Sequence, residues 1–133
     1  VKAAEGNTAK FKPTYELEDS PLTKIEKICK NIYGANGVEL SAKAKNQLKR
    51  FEDLGYSKLP ICMAKTEKSL SDDEKLKGRP TNFEIHIREF EIAAGAGFII
   101  PIAGNMLRMP GLPLTPAAEN IKMNNNGDIS GLF

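Results

Sequence analysis

Apolar positions along the chain change their spacing twice, and each change marks a new kind of element. Leu22, Ile25, Ile28, Cys29 and Ile32 recur at the three- and four-residue steps of a helix face. Ser20 stands ready as N-cap, Pro21 at the first helical position, and Gly34 as a stop. A second helix is predicted over 42–53, capped by Ser41, with Ala44, Leu48, Phe51 and Leu54 on its apolar side and Gly55 ending it. A turn at 35–37 and a short extended piece at 38–40 lie between them. Both helices carry lysines on the opposite face, the pattern of a solvated surface.

After Gly55 the period becomes extended. The run 59–64 is apolar but contains Pro60, which suits an edge strand or one that starts at the proline. Residues 65–80 are polar and long for a loop, so they either carry function or hold a short helix capped at Ser71. The cleanest strand is 82–93. Phe83, Ile85 and Ile87 share one face and Glu84, His86 and Arg88 the other; Phe90 and Ile92 then break phase, which predicts a bulge near Arg88–Glu89. Another strand follows at 98–103, after Gly95 and Gly97. The stretch 124–128, Asn-Asn-Asn-Gly-Asp, lies between extended segments at 121–123 and 129–133 as a hairpin turn. Helices first and strands afterwards make an α+β fold. Two helices are expected on one face of a curved, mainly antiparallel sheet of four to five strands, with Glu84, His86 and Arg88 on the other.

The 133 residues fit one domain with a real core. Residues 1–12 are polar and aperiodic and read as a linker or cut interdomain segment, leaving 13–133 as a single α+β domain. Lys plus Arg number 19 against 17 Asp plus Glu, too balanced to argue for nucleic acid or an anionic membrane. No apolar run has the length of a membrane span. Cys29 and Cys62 sit among apolar neighbours as small buried hydrophobes, which suits a reducing cytoplasm.

Chemistry-bearing motifs are sparse. His86, the single histidine, is a base with carboxylates in reach or an ordinary cross-strand neighbour, and the pattern favours the neighbour. No spacing supports a zinc site. Lys65 follows 63–64, where a strand surfaces, and is the best ligand-binding candidate of the polar loop; a solvated loop is the competing reading. Neither a phosphate-binding glycine loop nor a nucleophile elbow is present. The stretch 95–116 is an apolar strand leaving through a stiff loop with Met106, Met109, Pro110, Leu112 and Pro113, a pocket wall or a plain corner.

Taken in order, several segments resemble the C-terminal region of the formate–tetrahydrofolate ligase family. They are Ile-Tyr-Gly-Ala-Asn-Gly-Val at 32–38, Leu-Pro-Ile-Cys-Met-Ala-Lys-Thr at 59–66, Ser-Leu-Ser-Asp-Asp at 69–73 and Gly-Arg-Pro-Thr at 78–81. Gly-Ala-Gly-Phe at 95–98, Met-Pro-Gly-Leu-Pro at 109–113 and Gly-Leu-Phe at 131–133 complete the set. The resemblance runs from about residue 11 to the end. It implies an ATP-dependent ligase that joins formate to tetrahydrofolate through formyl phosphate and gives 10-formyltetrahydrofolate. It also implies a half-barrel sheet with two helices on the concave side and a convex side forming a wall of the active-site cavity.

On this resemblance Val1 is an internal cut and Phe133 the enzyme's natural C-terminus. The remaining N-terminal domains are partners and hold the phosphate loop. The full enzyme is expected to be a cytoplasmic homo-oligomer, with ATP, formate and tetrahydrofolate as substrates and none held tightly by this chain. No residue carries over as catalytic or metal-binding. Lys65, Thr66, Met109, Pro110, Gly111, Leu112 and Pro113 are the expected cavity-wall residues, and the chain alone is expected to be inactive. The alternative is an interdomain or oligomer-packing module without ligand contacts. The Asn-rich turn at 124–126 departs from the acidic turn of several relatives.

Overall fold

The computed structural model describes residues 5–6, 12–106 and 114–131. Helix α1 spans Pro21–Ile28 and α2 spans Ala42–Asp53. Strand β1 is Gly37–Leu40, β2 is Glu84–Ala93 and β3 is Phe98–Ala103. Strands β4 (Lys122–Met123) and β5 (Ile129–Ser130) form a separate hairpin.

The helix signals act as the sequence predicts. Ser20 Oγ accepts from Thr23 N–H at 3.2 Å, and Ser41 Oγ accepts from Ala44 N–H at 3.0 Å, each satisfying an amide that lacks an intrahelical partner. After α1 the chain widens into a π-type turn, Cys29–Tyr33, closed by Gly34 at φ 80° with its N–H on the Cys29 carbonyl. A wider turn rotates less per residue than an α-helix. That phase shift puts Tyr33 in the core and leaves Ile32 48% exposed, although α-helical spacing assigned Ile32 inward. Lys24 is a second departure: it is buried, not on the solvated face, and its Nζ donates to the carbonyls of Ser57 (2.7 Å) and Leu59 (3.1 Å).

Among the described residues the main sheet is mixed, not mainly antiparallel, and has three strands in the order β1-β2-β3. β1 runs parallel to β2, with Val38 opposite Ile85 and Leu40 opposite Ile87. A parallel neighbour requires a crossover, and α2 lies in the connection. β2 and β3 are antiparallel, and their register slips between Ile87 and Glu89, so the predicted bulge is present. The 59–64 run is not a full strand. It lies parallel to β3 as a ribbon with isolated bridges at Ile61 and Ala64. Cys62 N–H donates to Ile99 O (2.9 Å) and Ala64 N–H to Pro101 O (2.9 Å). On this edge Ile61 N–H is taken by the Tyr15 hydroxyl at 3.0 Å. Cys62 is exposed, contrary to expectation, while Cys29 is buried.

Both helices share one core with the sheet, formed by Ile25, Ile28, Cys29, Ala44, Leu48, Ile85, Ile87, Phe90 and Ile99 among others. Phe51 of α2 meets Phe90 of β2 edge to face, with ring centroids 6.5 Å apart. Beyond the end of β1, side chains continue its pairing with β2: Ser41 Oγ donates to Arg88 O at 2.6 Å, and the Gln47 amide bonds both main-chain groups of Phe90. Glu84, His86 and Arg88 alternate outward from Ile85 and Ile87, as the period-two pattern requires. The β4–β5 hairpin is exposed throughout and turns at Asn124 and Gly127, where the asparagine signal predicts it.

Candidate functional site

The polar stretch after the 59–64 ribbon folds as a loop stitched by its own hydroxyls, with no helix at Ser71. Ser69 and Ser71 are buried and their hydroxyl oxygens lie 2.9 Å apart. Ser69 Oγ also accepts from Ser71 N–H at 3.0 Å and donates to Leu76 O, while Ser71 Oγ accepts from Asp73 N–H at 3.1 Å. Leu70 N–H closes the loop on Gly78 O at 2.7 Å. These bonds satisfy the buried hydroxyls locally, so the serines compete with helix formation and favour a turn.

Lys65 lies at the root of this loop. Its Nζ donates to the carbonyls of Thr66 (2.7 Å) and Ser69 and stands 5.4 Å from the centre of the Tyr33 ring. Burial lowers its pKa from the ordinary lysine value. Thr66 is buried, and its Oγ1 accepts from Lys68 N–H at 3.3 Å. Lys65 and Thr66 therefore come together as a brace within the loop. Met109, Pro110, Gly111, Leu112 and Pro113 lie outside the described residues.

The far end of the loop reaches the outward face of β2. Asp72 Oδ2 accepts from His86 N–H and lies 2.9 Å from His86 Nδ1, while His86 Nε2 is 3.1 Å from Glu39 Oε2 on β1. Both ring contacts are hydrogen bonds only when both nitrogens carry protons, because a carboxylate can only accept. Asp72 is 13% exposed and His86 61%. Gly104, at φ 64°, brings β3's exit against this corner: a Cβ there would collide with the Asp72 carbonyl oxygen.

Two clefts meet at His86, Gly104 and Asn105. One, of about 660 Å³, is lined by Asp72, Glu74, Lys75, Phe83 and Glu84; the other, of about 350 Å³, by Glu39, Ser41 and Arg88. A third, of about 330 Å³, opens on the Lys65 side of the loop between Lys68 and Arg79. Sequence reasoning left open which carboxylates His86 would meet. Its partners Glu39 and Asp72 come from other elements, and only the β1–β2 register and the loop's return path bring them in.

Comparison with known proteins places this geometry in context. The family model "Formate--tetrahydrofolate ligase" matches residues 1–133. The chain is 52% identical over 126 residues to a formate–tetrahydrofolate ligase of Limosilactobacillus reuteri, covering 94% of this chain and 23% of that protein. It is 50% identical over all 133 residues to formate–tetrahydrofolate ligases of Limosilactobacillus fermentum and of Ruegeria sp. TM1040, covering 24% of each. The chain thus spans about a quarter of the length of these curated relatives.

Proposed function

The chain belongs to the formate–tetrahydrofolate ligase family, and from that premise we propose that it is the C-terminal domain of an ATP-dependent ligase. The whole enzyme joins formate to tetrahydrofolate through formyl phosphate and gives 10-formyltetrahydrofolate. The observation that carries this reading is the family match across all 133 residues. The domain supplies a wall of the folate and nucleotide cavity and no catalytic group. The outward face of β2, with clefts on both sides of His86, is the surface assigned to that wall, together with the segment from Met109 to Pro113. The helices occupy the opposite face, in keeping with a half-barrel whose concave side is filled. The remaining domains, in a cytoplasmic homo-oligomer, hold the phosphate loop.

Two measurements test the reading. The 133-residue chain, incubated with ATP, formate and tetrahydrofolate, makes no 10-formyltetrahydrofolate, whereas the full-length parent polypeptide does. In that parent, Met109→Ala raises KM for tetrahydrofolate several-fold. Product from the chain alone overturns its role as an inactive wall, and an unchanged KM removes the 109–113 segment from it.

A second reading has its own observation. An apolar groove of about 640 Å³ runs between Pro13–Leu17 and the α1 end, lined by Tyr15, Ile28, Ile32 and Met63. Leu17 and Ile32 on its rim are half exposed. An exposed apolar groove suits packing against another domain or subunit, and folate titration discriminates: amide shifts near His86 favour the wall, and none at millimolar folate favours packing.

A further inference from the structure

We propose that the cleft between Lys65, Lys68 and Arg79 is an anion-binding subsite that takes a carboxylate or phosphate group of a substrate. Its walls are Lys65, Lys68, Ser69 and Arg79, with Glu67 as the one carboxylate and a volume of about 330 Å³. Three cations face Glu67 in the wall and Glu74 beside Lys68, so the cleft keeps a net positive charge that draws a small anion.

Each cation is held differently. Arg79 is exposed, and no carboxylate pairs with it among the described residues. Its guanidinium lies against the main chain of Gly34, where a Cβ would meet Nη2 at 2.5 Å. The guanidinium thus stands beside the turn that Gly34 closes, and its N–H fork matches carboxylate and phosphate geometry. Lys65 uses two of its three N–H donors on the Thr66 and Ser69 carbonyls. This anchors a positive charge at the cleft floor. Lys68 pairs with Glu74 at 2.8 Å, but both side chains are more than half exposed. An exposed pair of this kind is weak, so the ammonium can exchange Glu74 for an incoming anion.

The anion site stands on this geometry alone. Naming its occupant rests on the ligase reading, in which the folate offers glutamyl carboxylates and the nucleotide offers phosphates. The test uses the isotopically labelled 133-residue chain, titrated separately with pyrophosphate and with a γ-linked triglutamate at constant ionic strength. Saturable shifts are expected in the amides of Thr66, Lys68, Gly78 and Arg79. A charged hydrogen bond supports a loss of about tenfold in affinity for Arg79→Ala and for Lys68→Ala. Arg79→Gln, which keeps the aliphatic stem and removes the charge, reproduces the loss. Tighter triglutamate binding assigns the cleft to a folate tail, and tighter pyrophosphate binding to a nucleotide; either supports the subsite. Shifts matched by chloride, or unaltered in Arg79→Ala and Arg79→Gln, overturn it. Failure of binding leaves the ligase reading intact, and failure of ligation by the parent leaves the binding result intact.

Discussion

Asp72 Oδ2 sits 2.9 Å from both the main-chain nitrogen and the imidazole Nδ1 of His86, so one carboxylate oxygen ties the 65–83 loop to the outward face of β2. Asp72→Ala removes both contacts and leaves the His86 amide without its side-chain acceptor. Hydrogen bonds to charged groups contribute about 1.5–3 kcal/mol each, but His86 is largely solvent-exposed, which discounts the ring contact. A net loss of about 2 kcal/mol is expected in urea unfolding. Hydrogen exchange locates it: the Leu70 and Ser71 amides lose protection before those of β2. Equal loss across the whole chain would show that Asp72 acts on global stability and does not hold the loop.

The same corner depends on a glycine. Gly104 adopts φ 64°, where an L side chain is strained, and a Cβ would collide with the Asp72 carbonyl oxygen. Relief requires the loop to move off His86. Gly104→Ala is therefore expected to destabilise by about 1–3 kcal/mol and to shift the His86 imidazole resonances in the direction seen with Asp72→Ala. Stability within a few tenths of wild type, with unmoved imidazole resonances, would contradict the close approach.

At the other end of β2, the Gln47 side chain stands in for a strand. Its Oε1 accepts from Phe90 N–H at 2.9 Å and its Nε2 donates to Phe90 O at 3.1 Å, past the last residue of β1. Gln47→Leu keeps the volume and removes both bonds, stranding two main-chain groups at about 1–3 kcal/mol each where water cannot reach them. A destabilisation of about 2 kcal/mol is expected, larger than for Gln47→Glu, which retains an acceptor. Thermal unfolding of the two variants side by side tests the order, and Gln47→Leu as stable as wild type would refute the substitution of side chain for strand.

Such clasps mark where sequence reading succeeds and where it stops. Ser20, Ser41, Gly34 and the 124–128 turn act through neighbours a few residues away, so local spacing places them. The bulge was legible too, because a broken alternation at Arg88–Glu89 has few other causes. The parallel pairing of β1 with β2 was not, since short strands carry no mark of direction. Ile32 and Cys62 were placed inward from their apolar character, and a π-type turn and an outer ribbon put them outside. At the site, the sequence pointed to Lys65 and Thr66, which the fold uses as a brace. Glu39, Asp72 and Gly104 are assembled from three elements and have no common local signal.

The buried groups predict how stability responds to alkali. Burial, reinforced by the charges of Asp72 and Glu26, pushes the Cys29 thiol from its ordinary 9.0 up to about 12. Between those values the unfolded chain releases the proton and the folded chain keeps it. The unfolded state then binds fewer protons, so stability falls as pH rises, by at most about 1.4 kcal/mol per pH unit from this group. Tyr33, also raised by burial, acts in the same direction. Lys24 and Lys65 act oppositely: burial lowers their pKa, so below 10.5 the unfolded state binds more protons and stability rises with pH. The wild-type profile mixes these signs, and Cys29→Ala isolates one of them. Its unfolding free energy, measured in urea at pH 7, 9 and 10.5, is expected to lie below wild type at pH 7 because of the small cavity. The gap should close or reverse above pH 9, where wild type alone bears the thiol penalty. A gap constant across all three pH values would show that the Cys29 thiol is not held protonated by the folded core.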